Sequence, residues 1–141
     1  MKILADKTLP GLDEAFPSPF QLSTYSNLEE LQEKLAHHEV LLCRATLKVT
    51  KALLSSHTLR AVATASSGTC HIDAAFLKEQ GIALIDANGC NADSVADYVL
   101  ACIAYLDKEQ KLMGKRAGII GMGAVGTAVS NRLDFCHFSQ V

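Results

Sequence analysis

The sequence predicts an α/β protein, a parallel sheet with helices on both faces followed by the start of a second α/β unit, and three observations predict it. Apolar runs without polar alternation, such as Val40-Leu41-Leu42-Cys43, read as strands covered on both faces. Segments of helical period separate these runs, so that strand and helix alternate about five times, as in an open parallel sheet. Near the end, Gly121, Gly123 and Gly126 form a Gly-x-Gly-x-x-Gly between an apolar run and a helical segment.

Taken in order, Ile3-Leu4-Ala5 is the first strand, Leu9 to Phe16 a short helix and Phe20 to Tyr25 the second strand. Ser26 and Glu29 have capping-box spacing, and Leu28, Leu31 and Leu35 place one apolar stripe on the helix that follows. Val40 to Cys43 is the third strand, and Thr50 is placed to cap a helix carrying Leu53 and Leu54. Arg60 to Ala65 is the fourth strand. Asp73 opens a helix through Phe76 and Leu77, which Gly81 ends with a left-handed residue before the strand Ile82 to Ile85.

Asn91 is placed to cap a long helix, with Val95, Val99, Cys102 and Leu106 at helical spacing. It would run about 20 residues to Met113, a length that suits a connector between domains or a subunit contact. Lys115 to Ile120 then forms a strand leading into the glycines, and Ala128, Val129 and Leu133 lie on the next helix. The closing stretch from Asp134 to Val141 shows no clear βαβ continuation.

A length of 141 residues suffices for one domain and part of another. Hydrophobic residues at 49% and charged residues at 20% belong to a chain with a core. The net charge of −2 supplies no basic field, so nucleic acid is not an expected partner. The opening Met1 to Asp6 lacks the apolar run of a signal peptide, and no window approaches the roughly 18 apolar residues of a membrane span. A cytoplasmic protein without membrane association is expected. Cys43, Cys70, Cys90, Cys102 and Cys136 are odd in number and lack C-x-x-C spacing. They read as reduced thiols, mostly small buried hydrophobes, with no metal site among them.

Ligands of such sheets bind at the carboxyl ends of the strands. There the loops Arg44 to Lys48, Ser66 to Cys70 and Asp86 to Asn91 carry hydroxyls, amides and glycines suited to a small anion. Ordinary turns share that composition, so the two readings stand level at this point. The glycine motif is more specific. Gly121 would permit a tight turn, Gly123 would let backbone approach a pyrophosphate, and Gly126 would let the helix pack closely. Ala124 and Val125 lie in the same loop, at the helix start. No Gly-Lys-Ser/Thr follows, which excludes a phosphate loop of the Walker type, while a methyltransferase glycine loop stays open as a minor rival. The ribose-binding carboxylate should lie about 20 residues further on, and Asp134 comes too early to serve.

Several short motifs in order resemble the D-isomer-specific 2-hydroxyacid dehydrogenases over about residues 1–133. They are Met1 to Asp6, Arg44 with Thr46 and Lys48-Val49, Ala63 to Thr69, His71-Ile72-Asp73, Gly89 to Ala92, Tyr98-Val99 and the glycine motif. The resemblance implies a flavodoxin-like substrate domain over 1–91, a connecting helix over 92–114 and an incomplete NAD-binding Rossmann unit over 115–141. It implies NAD as cofactor and a small phosphorylated 2-hydroxy acid as substrate, held by Arg44, Ala45, Ser66, Ser67 and Gly68. It also implies a homodimer for the full-length protein. Three positions depart from the family pattern: Ala45 replaces a substrate-contacting serine, Cys70 an aspartate and Asn88 a proline. Loss of that serine hydroxyl would remove a charge-assisted hydrogen bond, of the order of 1.5–3 kcal/mol. The family's catalytic histidine, its glutamate and its carboxylate-binding arginine find no counterpart in residues 1–141. His37, His38, His57, His71 and His137 do not match. A truncated, inactive family member is therefore the expectation, with two alternatives: a non-enzymatic flavodoxin-like anion- or partner-binding module, or another 2-hydroxyacid dehydrogenase of the family such as a phosphoglycerate dehydrogenase.

Overall fold

A computed structural model of the protein describes residues 1–55 and 58–141. They divide into two units, Met1–Ala87 and Asn88–Val141. The first holds β1 (Lys2–Asp6), α1 (Leu12–Ala15), β2 (Gln21–Tyr25), α2 (Leu28–Leu35), β3 (Val40–Cys43), β4 (Ala61–Thr64), α3 (Ala74–Glu79) and β5 (Ala83–Ile85). All five strands are parallel, in the order β2-β1-β3-β4-β5. That is the flavodoxin-like arrangement the strand and helix alternation predicts. Ile3, Leu4, Leu41 and Val62 are fully buried in its central strands. Leu31 and Leu35 of α2 and Leu77 of α3 close over the same core.

Several local expectations are corrected. The cap of α2 lies one residue later than Ser26 and Glu29. Asn27, in extended conformation, accepts the Glu30 amide on its side chain at 2.9 Å, and Glu30 accepts the Ser26 amide at 3.0 Å. The helix therefore begins at Leu28, which points outward at 54% exposure and leaves the buried stripe to Leu31 and Leu35. After Thr50 there is one turn and no helix. The Thr50 hydroxyl accepts from the Leu53 amide at 3.4 Å and its carbonyl from the Leu54 amide at 3.1 Å. The segment is held by Leu54 and Leu59, both in the core. Asp73 does cap α3, its carboxylate accepting from the Phe76 amide at 3.0 Å, and Gly81 is left-handed with φ of 69°.

The second unit holds α4 (Ala92–Lys108), β6 (Arg116–Ala117), α5 (Ala124–Phe135) and β7 (Ser139–Gln140). Asn91 precedes α4 as expected, but its side chain makes no capping hydrogen bond. The helix stops short of Met113 because Gln110 turns left-handed, with φ of 55°. Lys111 N–H then bonds the Leu106 carbonyl at 2.9 Å, a Schellman-type ending. Its buried face is Ala92 and Ala96, packed on Ala128 of α5, rather than the stripe through Cys102 and Leu106, which are exposed. Small side chains allow the two helices to approach closely. Arg132 of α5 clamps them from outside, to Asp93 at 2.9 Å and Asp97 at 3.1 Å.

The closing stretch does continue as βαβ. β7 lies parallel to β6, with Arg116 opposite Ser139 and Ala117 opposite Gln140. The Gln140 side chain secures it by donating to the Ser130 carbonyl at 2.8 Å. The predicted strand from Lys115 to Ile120 shrinks to Arg116–Ala117, the residues that pair in register with β7, while Lys115 and Ile119 each make one backbone hydrogen bond to the same segment, with Ser139 and Val141. All five cysteines are free, but only Cys43 is buried, while Cys70, Cys90 and Cys102 are exposed. The expectation of buried thiols thus fails for most of them. Among the described residues, no helix is long and apolar enough to cross a membrane, and no cluster of His, Cys, Asp or Glu could hold a metal.

Candidate functional site

In the first sheet the connections run one way from β1 to β2 and the other way from β3 onward, so the switch point lies between β1 and β3. A crevice outside the carboxyl ends at such a point is the general ligand position of the fold. Two sets of contacts meet there. Asp6 ends β1 and accepts both the Thr8 amide at 2.9 Å and the Thr8 hydroxyl at 2.6 Å. The Arg44 guanidinium, just beyond β3, donates to that same hydroxyl at 2.7 Å. Arg44 is thereby steered across the switch point while staying exposed for an anion.

The second set joins the loops after β3 and β4. The Ala45 amide donates to the Ser66 hydroxyl at 2.9 Å. The Ser66 amide donates to the Thr64 hydroxyl at 3.3 Å, and Thr64 is in turn 3.1 Å from His71 Nε2. Arg44, Ala45 and Ser66 therefore come together, with Ser67 and Gly68 exposed on the same loop. The structure supplies a hydroxyl oxygen beside position 45 although residue 45 carries none.

A cavity of about 470 Å³ opens alongside, lined in part by Asp6, Tyr25, Leu31, Thr46 and Lys48. Tyr25 is 5% exposed and its hydroxyl has no partner among the described residues. Burial, with smaller contributions from Cys43 and Asp6, pushes its phenol well above the usual tyrosine range. Burial likewise raises the Cys43 thiol to about 11, so it stays protonated and unreactive at neutral pH.

The glycine loop belongs to the second unit. Gly121 has φ of 97°, a left-handed turn that a side chain would strain. At Gly126 a Cβ would sit 2.0 Å from the Gly121 carbonyl oxygen, so the third glycine is required by closure of the loop onto itself. Gly123 caps α5 with open space where its side chain would be, and Ala124 and Val125 form the first turn of that helix. Backbone amides and a helix N-terminus thus meet without obstruction, which fits a pyrophosphate.

Sequence reasoning missed Asp6, Thr8 and Thr64 as parts of the site. Two carried a legible signal: a carboxylate ending the apolar run of β1, and a hydroxyl ending that of β4. Two histidine rings have hydrogen-bond partners of their own. His38 Nδ1 donates to the Lys34 carbonyl at 2.7 Å, completing the end of α2, and His71 is held by Thr64. Among the described residues no histidine pairs with a carboxylate. His57 lies outside the described residues.

The family model for the D-isomer specific 2-hydroxyacid dehydrogenase catalytic domain matches residues 4–134, and the chain belongs to that family. Within it, the chain is 59% identical to erythronate-4-phosphate dehydrogenase of Legionella pneumophila (strain Lens) across 98% of its own length. It is 38% identical to the enzyme of the same name from Chromohalobacter salexigens across 95%. The chain spans 39% and 36% of these two relatives. Solved structures share the fold at lower identity. NAD+-bound 3-phosphoglycerate dehydrogenase of Entamoeba histolytica superposes with a TM-score of 0.77 at 18% identity, covering 99% of this chain and 52% of that one. The TT0316 protein of Thermus thermophilus gives 0.80 at 20%, covering 99% and 55%.

Proposed function

We propose that the chain carries the substrate-gripping and pyrophosphate-gripping portions of an NAD-dependent dehydrogenase. The reaction is oxidation of 4-phospho-D-erythronate to 2-oxo-3-hydroxy-4-phosphobutanoate, in the formation of pyridoxal phosphate. The observation that carries this reading is the junction of the Arg44–Lys48 and Ser66–Cys70 loops at the switch point, in a chain 59% identical to a protein of that name. In the proposal, Arg44, the Ala45 backbone, Ser66, Ser67 and Gly68 hold an anionic end of the substrate. Gly121, Gly123, Ala124, Val125 and Gly126 hold the pyrophosphate of NAD. Bound NAD supplies the hydride acceptor.

The hydroxyl proton needs a separate base, and no described histidine is paired with a carboxylate, so we place the histidine, its glutamate and the arginine clamp outside residues 1–141. Residues 1–91 then belong to the substrate domain, 92–114 to the connecting helix and 115–141 to the nucleotide unit of a cytoplasmic homodimer. The 141-residue chain by itself is inactive in this account. General acid–base catalysis alone is typically worth 10²–10⁴ in rate, and positioning of the nicotinamide is lost with it.

The test is NADH formation from 4-phosphoerythronate by this chain and by one extended after Leu133 with a relative's remaining sequence. Turnover only in the extended chain is expected. Turnover by the 141-residue chain would overturn the placement of the base. Activity of the extended chain on a different 2-hydroxy acid alone would overturn the substrate and implicate Ala45.

A further inference from the structure

We propose that His71 is a positioning residue: through Thr64 it orients the Ser66 hydroxyl against the Ala45 amide, holding two loops in register for an anion. The anion itself rests on the reading of those loops given above. The contacts do not. His71 reaches both loops at once. Its carbonyl accepts the Val49 amide at 2.9 Å, at the end of the Arg44–Lys48 loop. Its ring Nε2 meets Thr64 at 3.1 Å, at the start of the Ser66–Cys70 loop. Val49 and Ile72 form a parallel bridge beside it, and the Asp73 amide returns to the Val49 carbonyl at 2.9 Å. The main chain on either side of His71 is therefore fixed, and the ring, with Nδ1 buried, is not a free surface group.

Counting donors assigns the tautomer. The Thr64 hydroxyl is 3% exposed at the residue level and has one hydrogen and two lone pairs. One lone pair takes the Ser66 amide. If His71 carries its proton on Nε2, that N–H fills the second lone pair, and Nδ1, buried without a hydrogen bond, is left as a bare lone pair. With the proton on Nδ1 instead, a buried N–H would be orphaned, which is the rarer and costlier case. The geometry points to the Nε2–H form.

Orientation of Ser66 follows. Its oxygen accepts from Ala45 and its amide is tied to Thr64, whose lone pairs are full. Ser66 is thus tied at its backbone to Thr64 and at its hydroxyl oxygen to Ala45, which fixes where that hydroxyl stands. An anion at the loops meets a hydroxyl placed through Thr64 by a ring that never touches it.

Side-chain ¹⁵N NMR on the 141-residue chain tests the assignment directly: the Nε2–H tautomer of His71 is expected, and a dominant Nδ1–H form overturns it. Hydrogen exchange tests the linkage. In His71→Leu and Thr64→Val, the Ala45 amide should exchange about tenfold faster while the Leu41 amide is unchanged. His71→Gln, which keeps an N–H near the Nε2 position, should restore protection. Equal acceleration at Leu41, or no rescue by glutamine, would show a general structural role and overturn the positioning. If a variant fails to fold, the tautomer in the unaltered chain still decides. Inorganic phosphate, followed at the Ala45 and Ser66 amides, should bind several-fold more weakly in Thr64→Val. Absence of phosphate binding in the unaltered chain would overturn the anion reading, while the tautomer and exchange results judge the positioning separately.

Discussion

Residues 1–87 bury Leu4, Leu41 and Val62 in a five-stranded sheet, whereas residues 88–141 have a two-residue strand pair and two helices that meet through three alanines. The first unit carries the weaker sequence motif on the stronger scaffold. Its loop hydroxyls resemble ordinary turn residues, yet they are held to defined partners at the ends of packed strands. The second unit carries the stronger motif on the thinner scaffold. Its glycines specify a loop unambiguously, but the strand entering that loop pairs with one neighbour only among the described residues. Specificity of a motif and rigidity of its support are thus separate quantities, and the two units separate them within one chain.

The largest expected effect falls on the first unit. Leu41→Ala removes a fully buried side chain at the centre of the sheet and should cost about 2–5 kcal/mol in urea unfolding of that unit. A loss below about 0.5 kcal/mol would show that the sheet centre is not where this unit's stability lies. Next comes the glycine loop. Gly126→Ala forces a Cβ against the Gly121 carbonyl, and overpacking of this kind typically costs about 1–3 kcal/mol. Exchange of amides over 118–126 should accelerate, with those of β3 unaffected. Unaltered exchange in the loop would mean that Gly126 does not close it.

A smaller effect is expected where charge replaces packing. Arg132→Gln removes the clamp from α5 to Asp93 and Asp97, pairs largely open to solvent, and should lower stability only slightly, and less at high salt. Helix protection that does not depend on Arg132 would leave the alanine contact as the whole attachment. The smallest effect is the pH dependence of Glu39. The Lys2 amide is the main reason its carboxyl lies below the usual glutamate range; desolvation opposes it next, and the N-terminal ammonium and Arg60 add smaller lowering effects. A lowered carboxyl contributes stability above its unfolded value and loses it as pH falls through the folded one. The thermal midpoint of Glu39→Gln should therefore lie slightly below that of the unaltered chain at pH 7, and the gap should close below about pH 4. A gap that widens in acid would contradict the sign.

The same contrast governs what can be read from sequence. Strands β1, β3 and β4 are legible because their apolar runs are continuous, with both faces buried in β1 and one face buried and the other half-buried in β3 and β4. β7 is not, since Ser139 and Gln140 are polar and pair through backbone and one side-chain amide. The cap of α2 shifts by one residue because Ser26-Asn27 and Glu29-Glu30 offer two overlapping capping boxes, and only geometry chooses between them. Of the candidate site, loop positions are legible from strand ends. The Asp6–Thr8–Arg44 and Thr64–Ser66–Ala45 links are not, because they join residues up to 36 positions apart through single hydroxyls. The buried face of α4 escapes sequence reading for a related reason: alanines carry little hydrophobic signal, yet they allow the close approach that larger side chains prevent.

Native-state hydrogen exchange on the whole 141-residue chain tests the contrast between the two units most directly. Amides of Leu41 and Val62 should exchange only on global unfolding of the first unit, whereas those of Ala117 and Val141, which bridge β6 and β7, should exchange at least about 100-fold faster. Protection of Ala117 and Val141 equal to that of Leu41 would contradict the account, since the glycine loop would then stand on a scaffold as firm as the sheet.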